Sequence, residues 1–184
     1  MSIASEPGQV TLEQLLASDA RGRFELVDGQ LEEVNVSNLS VDVGAQLLAL
    51  LVAYCRIHKL GRVFGADSYY QCFPQGERKA RKPDASFVAQ DRLPPDWMEQ
   101  GYFSIAPDLV VEVLSTNDTA YEVDRKITDY LSVGVRLIWE VNPVERTVMV
   151  HRLDGTVQKF HDQDPLSGEN VIPGFQCKVA DFLP

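Results

Sequence analysis

Histidine and cysteine are both scarce in this chain, three of each among 184 residues, and neither type clusters. His58, His151 and His161 stand apart, and Cys55, Cys72 and Cys177 form no CxxC pair. That excludes zinc-ligand spacing and a disulfide framework. The expectation is reduced thiols packed among apolar neighbours in a cytoplasmic protein. No GxSxG elbow, Walker loop or dinucleotide fingerprint occurs, which removes the classes those motifs mark. No apolar run approaches the length of a membrane span, so no membrane partner is expected. Met1 to Val10 lacks the basic end and apolar stretch of a signal peptide. Internal repeats, low-complexity tracts and linkers are also absent.

Basic residues are in the minority. Seventeen Lys and Arg against 27 Asp and Glu leave a net charge of -10. This is awkward for a nucleic-acid partner, because tight DNA binding places cations at phosphates. An acidic chain can still bind DNA by clustering its cations, or by letting bound metal ions offset its carboxylates. The densest basic cluster is Arg78, Lys79, Arg81 and Lys82. It reads either as a solvated loop or as a set of phosphate contacts, and its place directly before Pro83-Asp84 adds weight to the second.

What the chain does contain is a globular core. Apolar residues at 45% and charged residues at 24% suit a folded domain, and the length suits one domain over residues 1–184. Residues 1–10 read as a flexible extension. Thr11 and Gln14 fit a capping box that starts a short helix. Phe24 to Val27 and Leu31 to Val36 flank Asp28-Gly29, a hairpin signal. Val43, Leu47, Leu50, Leu51 and Tyr54 recur at helical spacing within Val41 to Lys59, closed by Gly61. Arg62 to Phe64, Ser68 to Phe73 and Asp84 to Val88 read as short β-rich segments. Leu109 to Leu114 is a nearly continuous apolar strand of the type buried on both faces. Tyr121 to Val133 is a helix ending near Gly134. Arg136 to Val141, Thr147 to Arg152 and Thr156 to Phe160 are strands, and Val171 to Pro184 is an irregular cover. The order predicts an α/β or α+β fold, a mixed central sheet flanked by helices.

Glu112 is the most informative residue. An ionised carboxylate among Val110, Val111, Val113 and Leu114 costs several kcal/mol unless it is paired or holds a metal. Strand alternation puts Asp108, Val110 and Glu112 on one face, with Asp108 near the rim. In the helix that follows, Val123, Ile127, Tyr130 and Leu131 define a buried stripe. Lys126 borders it, placed either to snorkel or to aim its ammonium at Glu112. Asp84, after Pro83 at a strand head, is placed to hold an ion. Glu25, between Phe24 and Leu26, is either a further ligand or a local pair. A hard cation on such carboxylates, with a lysine beside it, is the chemistry that phosphodiester hydrolysis needs.

Pro83-Asp84, then Glu112, then a lysine resembles the PD-(D/E)xK nuclease superfamily. More narrowly, the chain resembles the Uma-two family of restriction endonucleases. The matching stretches are Phe24 to Gly29, Lys82 to Val88, Pro107 to Ser115, Asp124 through Tyr130 to Val135, and Trp139 to Pro143, in that order. The resemblance implies a restriction-endonuclease-like fold and a magnesium-dependent endonuclease acting on DNA, with manganese as a substitute. It implies Asp84, Glu112 and Lys126 as catalytic residues and Asp84 and Glu112 as metal ligands, with Glu25 a further one. Arg78, Lys79, Arg81, Lys82, Ser115 and Tyr130 stand as substrate contacts, and a homodimer is compatible with it. Two departures are visible. Leu114 occupies the usual lysine position, so the lysine has moved to Lys126 on the helix. Ser37-Asn38-Leu39-Ser40 also lacks the histidine often found there. The competing reading is a nuclease-fold protein with little activity, serving as a DNA-associated binding or scaffold module.

Overall fold

The computed structural model describes residues 9–184. Residues 1–8 of the expected flexible extension lie outside the described residues, and Val10 is held by its N–H to Gly29 O at 2.9 Å. The first helix, α1 (Leu12–Leu16), starts at the expected Thr11–Gln14 capping box. The hairpin pairs β1 (Phe24–Val27) with β2 (Gln30–Glu33). Asp28 and Gly29 between them take positive φ of 50° and 82°, as a tight two-residue turn demands.

The long helix, α2 (Asn38–His58), begins three residues earlier than its apolar periodicity indicates. Ser37 and Ser40 make a reciprocal cap, in which a second serine stands where glutamate or glutamine usually serves. At its other end Lys59, not Gly61, takes the left-handed conformation, with φ 53°. By length and composition α2 could cross a membrane, which corrects the expectation that no run is long enough. Here Val43, Leu47, Leu51 and Cys55 pack on the sheet, while Asp42, Gln46 and Arg56 face outward.

The main sheet has six strands in the order β3 (Gly61–Gly65), β4 (Ala85–Ala89), β5 (Leu109–Val113), β6 (Leu137–Asn142), β7 (Thr147–Arg152) and β8 (Val157–His161). The β5–β6 pair is parallel and its neighbours are antiparallel, a mixed sheet. Parallel neighbours need a crossover, and α3 (Ala120–Ser132) supplies it. It ends at Gly134, whose φ is 85°. Ser68 to Phe73 forms no strand. Tyr70 makes only single bridges to Arg81 and Phe103, and its ring is buried.

The sheet separates two apolar layers. Leu109, Val111 and Val113 face α2, together with Trp139, Val141 and Phe175. Val110 and Ile138 face α3, meeting Ile127 and Tyr130. Every residue of β5 is therefore buried, as expected. The C-terminal segment is more than a cover. It forms a ribbon of β9 (Pro165–Ser167) and β10 (Gln176–Lys178), and it puts Ile172, Phe175, Val179 and Phe182 into the core. The cysteines are free thiols, with Cys55 buried in that core.

Gly61 opens the edge strand where two backbones come close. A Cβ there would lie 2.2 Å from Val88 O and 2.9 Å from Ala89 Cα, and backbone cannot swing aside. Gly61→Ala should lower stability by about 3 kcal/mol in urea denaturation, the scale of core overpacking. A loss below about half that would mean the β3–β4 edge relaxes freely.

Candidate active site

The antiparallel register Ala85↔Val111, carried one residue further, sets Asp84 opposite Glu112. Asp84 stands where β4 begins, its backbone released from ladder duty by Pro83. Its Oδ2 accepts the Val113 N–H at 2.7 Å, which locks the two acidic residues side by side. Glu112 projects toward α3. Its Oε1 accepts the Tyr130 hydroxyl at 2.7 Å and its Oε2 accepts Lys126 Nζ at 3.1 Å. Tyr130 and Lys126 are four residues apart on α3 and share a face. The same Nζ lies 3.6 Å from Glu25 Oε2, so one ammonium serves both glutamates.

Burial drives the electrostatics. It pushes Glu112 up to about 7, aided by Asp84 and Glu25, against the pull of Lys126 and the Tyr130 hydroxyl. It also raises Asp84 to about 6, against the Val113 N–H and Lys126. Glu25 is equally buried, yet Lys126, Arg81 and the Lys82 N–H hold it below its ordinary value. Lys126 is itself buried enough to lose charge, but the three carboxylates more than offset this and raise its pKa. It stays an ammonium through neutral pH.

The basic segment turns inward. Arg81 is fully buried, with Nη1 on Glu25 Oε2 at 2.9 Å and Nε and Nη2 on Asp129 Oδ2 at 2.9 and 2.6 Å. Lys79 meets Asp129 Oδ1 at 2.5 Å, and Lys82 donates to Gly22 O. The expectation that Lys79, Arg81 and Lys82 contact phosphates is therefore corrected: Lys79 and Arg81 are paired with Asp129 and Glu25, and Lys82 is buried against the Gly22 carbonyl. Arg78 alone of the four is exposed, and it reaches Gln9. Glu25 is engaged in the local pair, with its Oε1 taking the Lys82 N–H at 2.8 Å. Tyr130 is buried and holds Glu112 in place instead of facing a groove. Ser115 is buried too, and its hydroxyl has no hydrogen-bond partner among the described residues.

Asp108 is another correction. It does not sit near a rim but is 1% exposed, paired with Arg92 at 2.7 Å and Arg136 at 2.8 Å. Asp129 was invisible as a functional partner in the sequence. Its only signal was its place on α3, three residues beyond Lys126 on the helix face turned to the hairpin.

Magnesium is commonly held through one or two carboxylates, with waters and substrate phosphates completing six oxygens. The donor set suits that arrangement. Among the described residues Asp84 Oδ1 accepts no hydrogen bond, and Glu112 lies directly across from it. Among the described residues no three of His, Cys, Asp and Glu are gathered as a full metal cage, so water and phosphate would supply the remaining ligands.

The six-stranded mixed sheet with its crossover helix is a nuclease-like fold. It matches a solved protein from Anabaena variabilis, described as "a putative nuclease belonging to DUF820", with a TM-score of 0.80 and 19% identity over 94% of this chain and 97% of that one. The chain belongs to the Uma2 family, described as "Putative restriction endonuclease", whose model matches residues 10–180. No curated protein matches it.

Two outcomes test this geometry. Arg81→Ala should cost about 3 kcal/mol, because it removes the guanidinium that Glu25 and Asp129 share and leaves Lys126 and Lys79 to offset them alone. A near-neutral change would return Arg81 to the surface role. The second test uses pH. Glu112 and Asp84 bind protons more tightly folded than unfolded, so in metal-free protein their contribution to stability falls as pH climbs from the ordinary carboxylate range to about 7. Glu25 acts oppositely, its contribution being lost as pH drops below that range. Between pH 5 and pH 8, Glu112→Gln should flatten the decline by about 2 kcal/mol. An unchanged slope would assign the titration to another group.

Proposed function

We propose that this chain is a magnesium-dependent endonuclease that hydrolyses DNA phosphodiester bonds, with manganese able to replace magnesium. The observation that carries this reading is the meeting of Asp84, Glu112 and Lys126 at one strand end, with both carboxylates raised by burial. Two buried acids sharing one lysine are poorly satisfied as a purely structural device, whereas a divalent cation resolves their repulsion.

Asp84 and Glu112 would hold the cation, which would supply Lewis acidity to the phosphoryl oxygen and the attacking water, and Tyr130 fixes the rotamer of Glu112 through its hydroxyl. Lys126 stays protonated, so it takes no proton from the attacking water. It acts by charge, positioning the water and stabilising the negative charge that grows on the phosphoryl oxygens as the water O–P bond forms and the bridging P–O bond breaks. Arg78 is the one exposed member of the basic segment, placed where a phosphate could compete with Gln9 for it.

One observation favours the non-catalytic alternative. Both oxygens of Glu112 already have partners, Tyr130 and Lys126, a self-satisfied arrangement that a binding module could keep. The deciding experiment offers plasmid, single-stranded and branched DNA with magnesium or manganese, and follows the melting temperature in parallel. The parent should cut, and each metal should raise its melting temperature by mass action. Lys126→Ala should cut about 10²–10³-fold more slowly yet keep the metal-induced rise, whereas Glu112→Gln should lose both. An inactive parent with no thermal response to either metal would favour the binding module.

A further inference from the structure

The row of acids in the sheet does not stop at the candidate active site. The parallel register pairs Glu112 with Glu140 of β6, on the same face of the sheet. Glu140 Oε2 meets His151 Nε2 of β7 at 2.8 Å, and its other oxygen has no hydrogen-bond partner among the described residues. This pair lines a cavity of about 510 Å³ between the first half of α3 and the end of the β6–β7 hairpin. Its walls are apolar where Leu114, Val123 and Ile127 reach it. The buried hydroxyl of Ser115, which has no hydrogen-bond partner among the described residues, lines it as well.

The cavity adjoins the catalytic residues, since Leu114, Asp118 and Val123 border both it and the cleft of Glu112 and Lys126. An apolar slot with a few convergent polar groups is the usual form of a small-ligand site. Here the carboxylates are acceptors, Glu140 and the half-buried Asp118 inside and the exposed Asp124 and Glu145 at the mouth. Acceptors select donors. Resting on the nuclease reading above, we propose that this cavity receives the base of a nucleotide next to the scissile phosphate, and that it prefers bases bearing an exocyclic amine. Cytosine and adenine present that amine and thymine does not. The flat ring lies against Val123 and Ile127, the amine meets Glu140, and the phosphate remains outside beside Lys126. The base must leave its stack to enter, so unpaired strands are the favoured ligands.

The test reads binding and needs no cleavage. Fluorescently labelled single-stranded dodecamers of dC, dA and dT are titrated with the full chain in EDTA, and anisotropy gives the affinities. The parent should bind the dC and dA strands roughly tenfold more tightly than the dT strand, the discrimination of a good base-edge contact. Glu140→Met removes the acceptor at similar volume and should bring the ratio close to one. Val144→Trp, at an exposed position on the rim, should block the mouth and reduce dC and dA binding to the dT level. Equal affinities in the parent, no binding at all, or a ratio intact in both variants would overturn the proposal. Base-selective binding without cleavage would leave it standing while the nuclease reading fails, and cleavage without base selectivity would do the reverse.

Discussion

Taking Glu112 out of water is the constraint around which this molecule is arranged. An ionised carboxylate buried in a central strand costs several kcal/mol unless charge and hydrogen bonds are returned to it. The protein returns them from α3, with a hydroxyl on one oxygen and an ammonium on the other. That requirement sets the position of the crossover helix over β5 and the phase of its turns. Lys126 and Tyr130 must point at the sheet together, and Ile127 joins Tyr130 in the apolar cluster beside them. The supply is incomplete, because Asp84 and Glu25 draw on the same lysine. Glu112 is left titrating close to neutral pH, and that imbalance is the repulsion the proposed cation would relieve.

A second buried charge network holds the N-terminal hairpin against this site. β1 and β2 are not part of the main sheet, and a single backbone bridge, Leu26 to Ala80, links β1 to the strand-like segment before Asp84. Arg81 joins the parts by bonding Glu25 on the hairpin and Asp129 on α3 at once. Lys79 adds to Asp129, and Arg125 of α3 meets Glu32 of the hairpin. The buried pairs of Arg81 contribute little net stability, but removing one partner is costly, so they specify an arrangement. Three parts of the chain, residues 24–33, 79–84 and 112–130, are thereby fastened around one ammonium.

The candidate site was legible in the sequence to the extent that isolated acids interrupt apolar strands. Glu112 stood out because nothing around it could solvate a charge, and Lys126 because it bordered a clear helical stripe. Glu140 carried the same signal, an acid between Trp139 and Val141, but the strand was read for its pattern alone. The basic segment misled for a physical reason. Four cations within five residues look solvated when counted along the chain, yet Lys79 and Arg81 meet Asp129 and Glu25, more than forty residues away on either side. Asp108 was similar, since its place at a strand's start hid the two arginines that close over it.

Local rules therefore determined much of this protein. Capping residues, turn glycines and apolar periodicity act over a few residues, and they defined α1, the hairpin, α3 and most strands of the main sheet from sequence alone. The family resemblance added the order of Asp84, Glu112 and Lys126 along the chain. Tertiary structure decided what those rules cannot reach: the pairing of β4 with β5 that sets Asp84 across from Glu112, the inward turn of Arg81, and the entry of the C-terminal segment into the core. Each depends on which distant surface a side chain meets. The energy of a buried charge is set by its partners in space, and the sequence names candidates without saying which of them arrive.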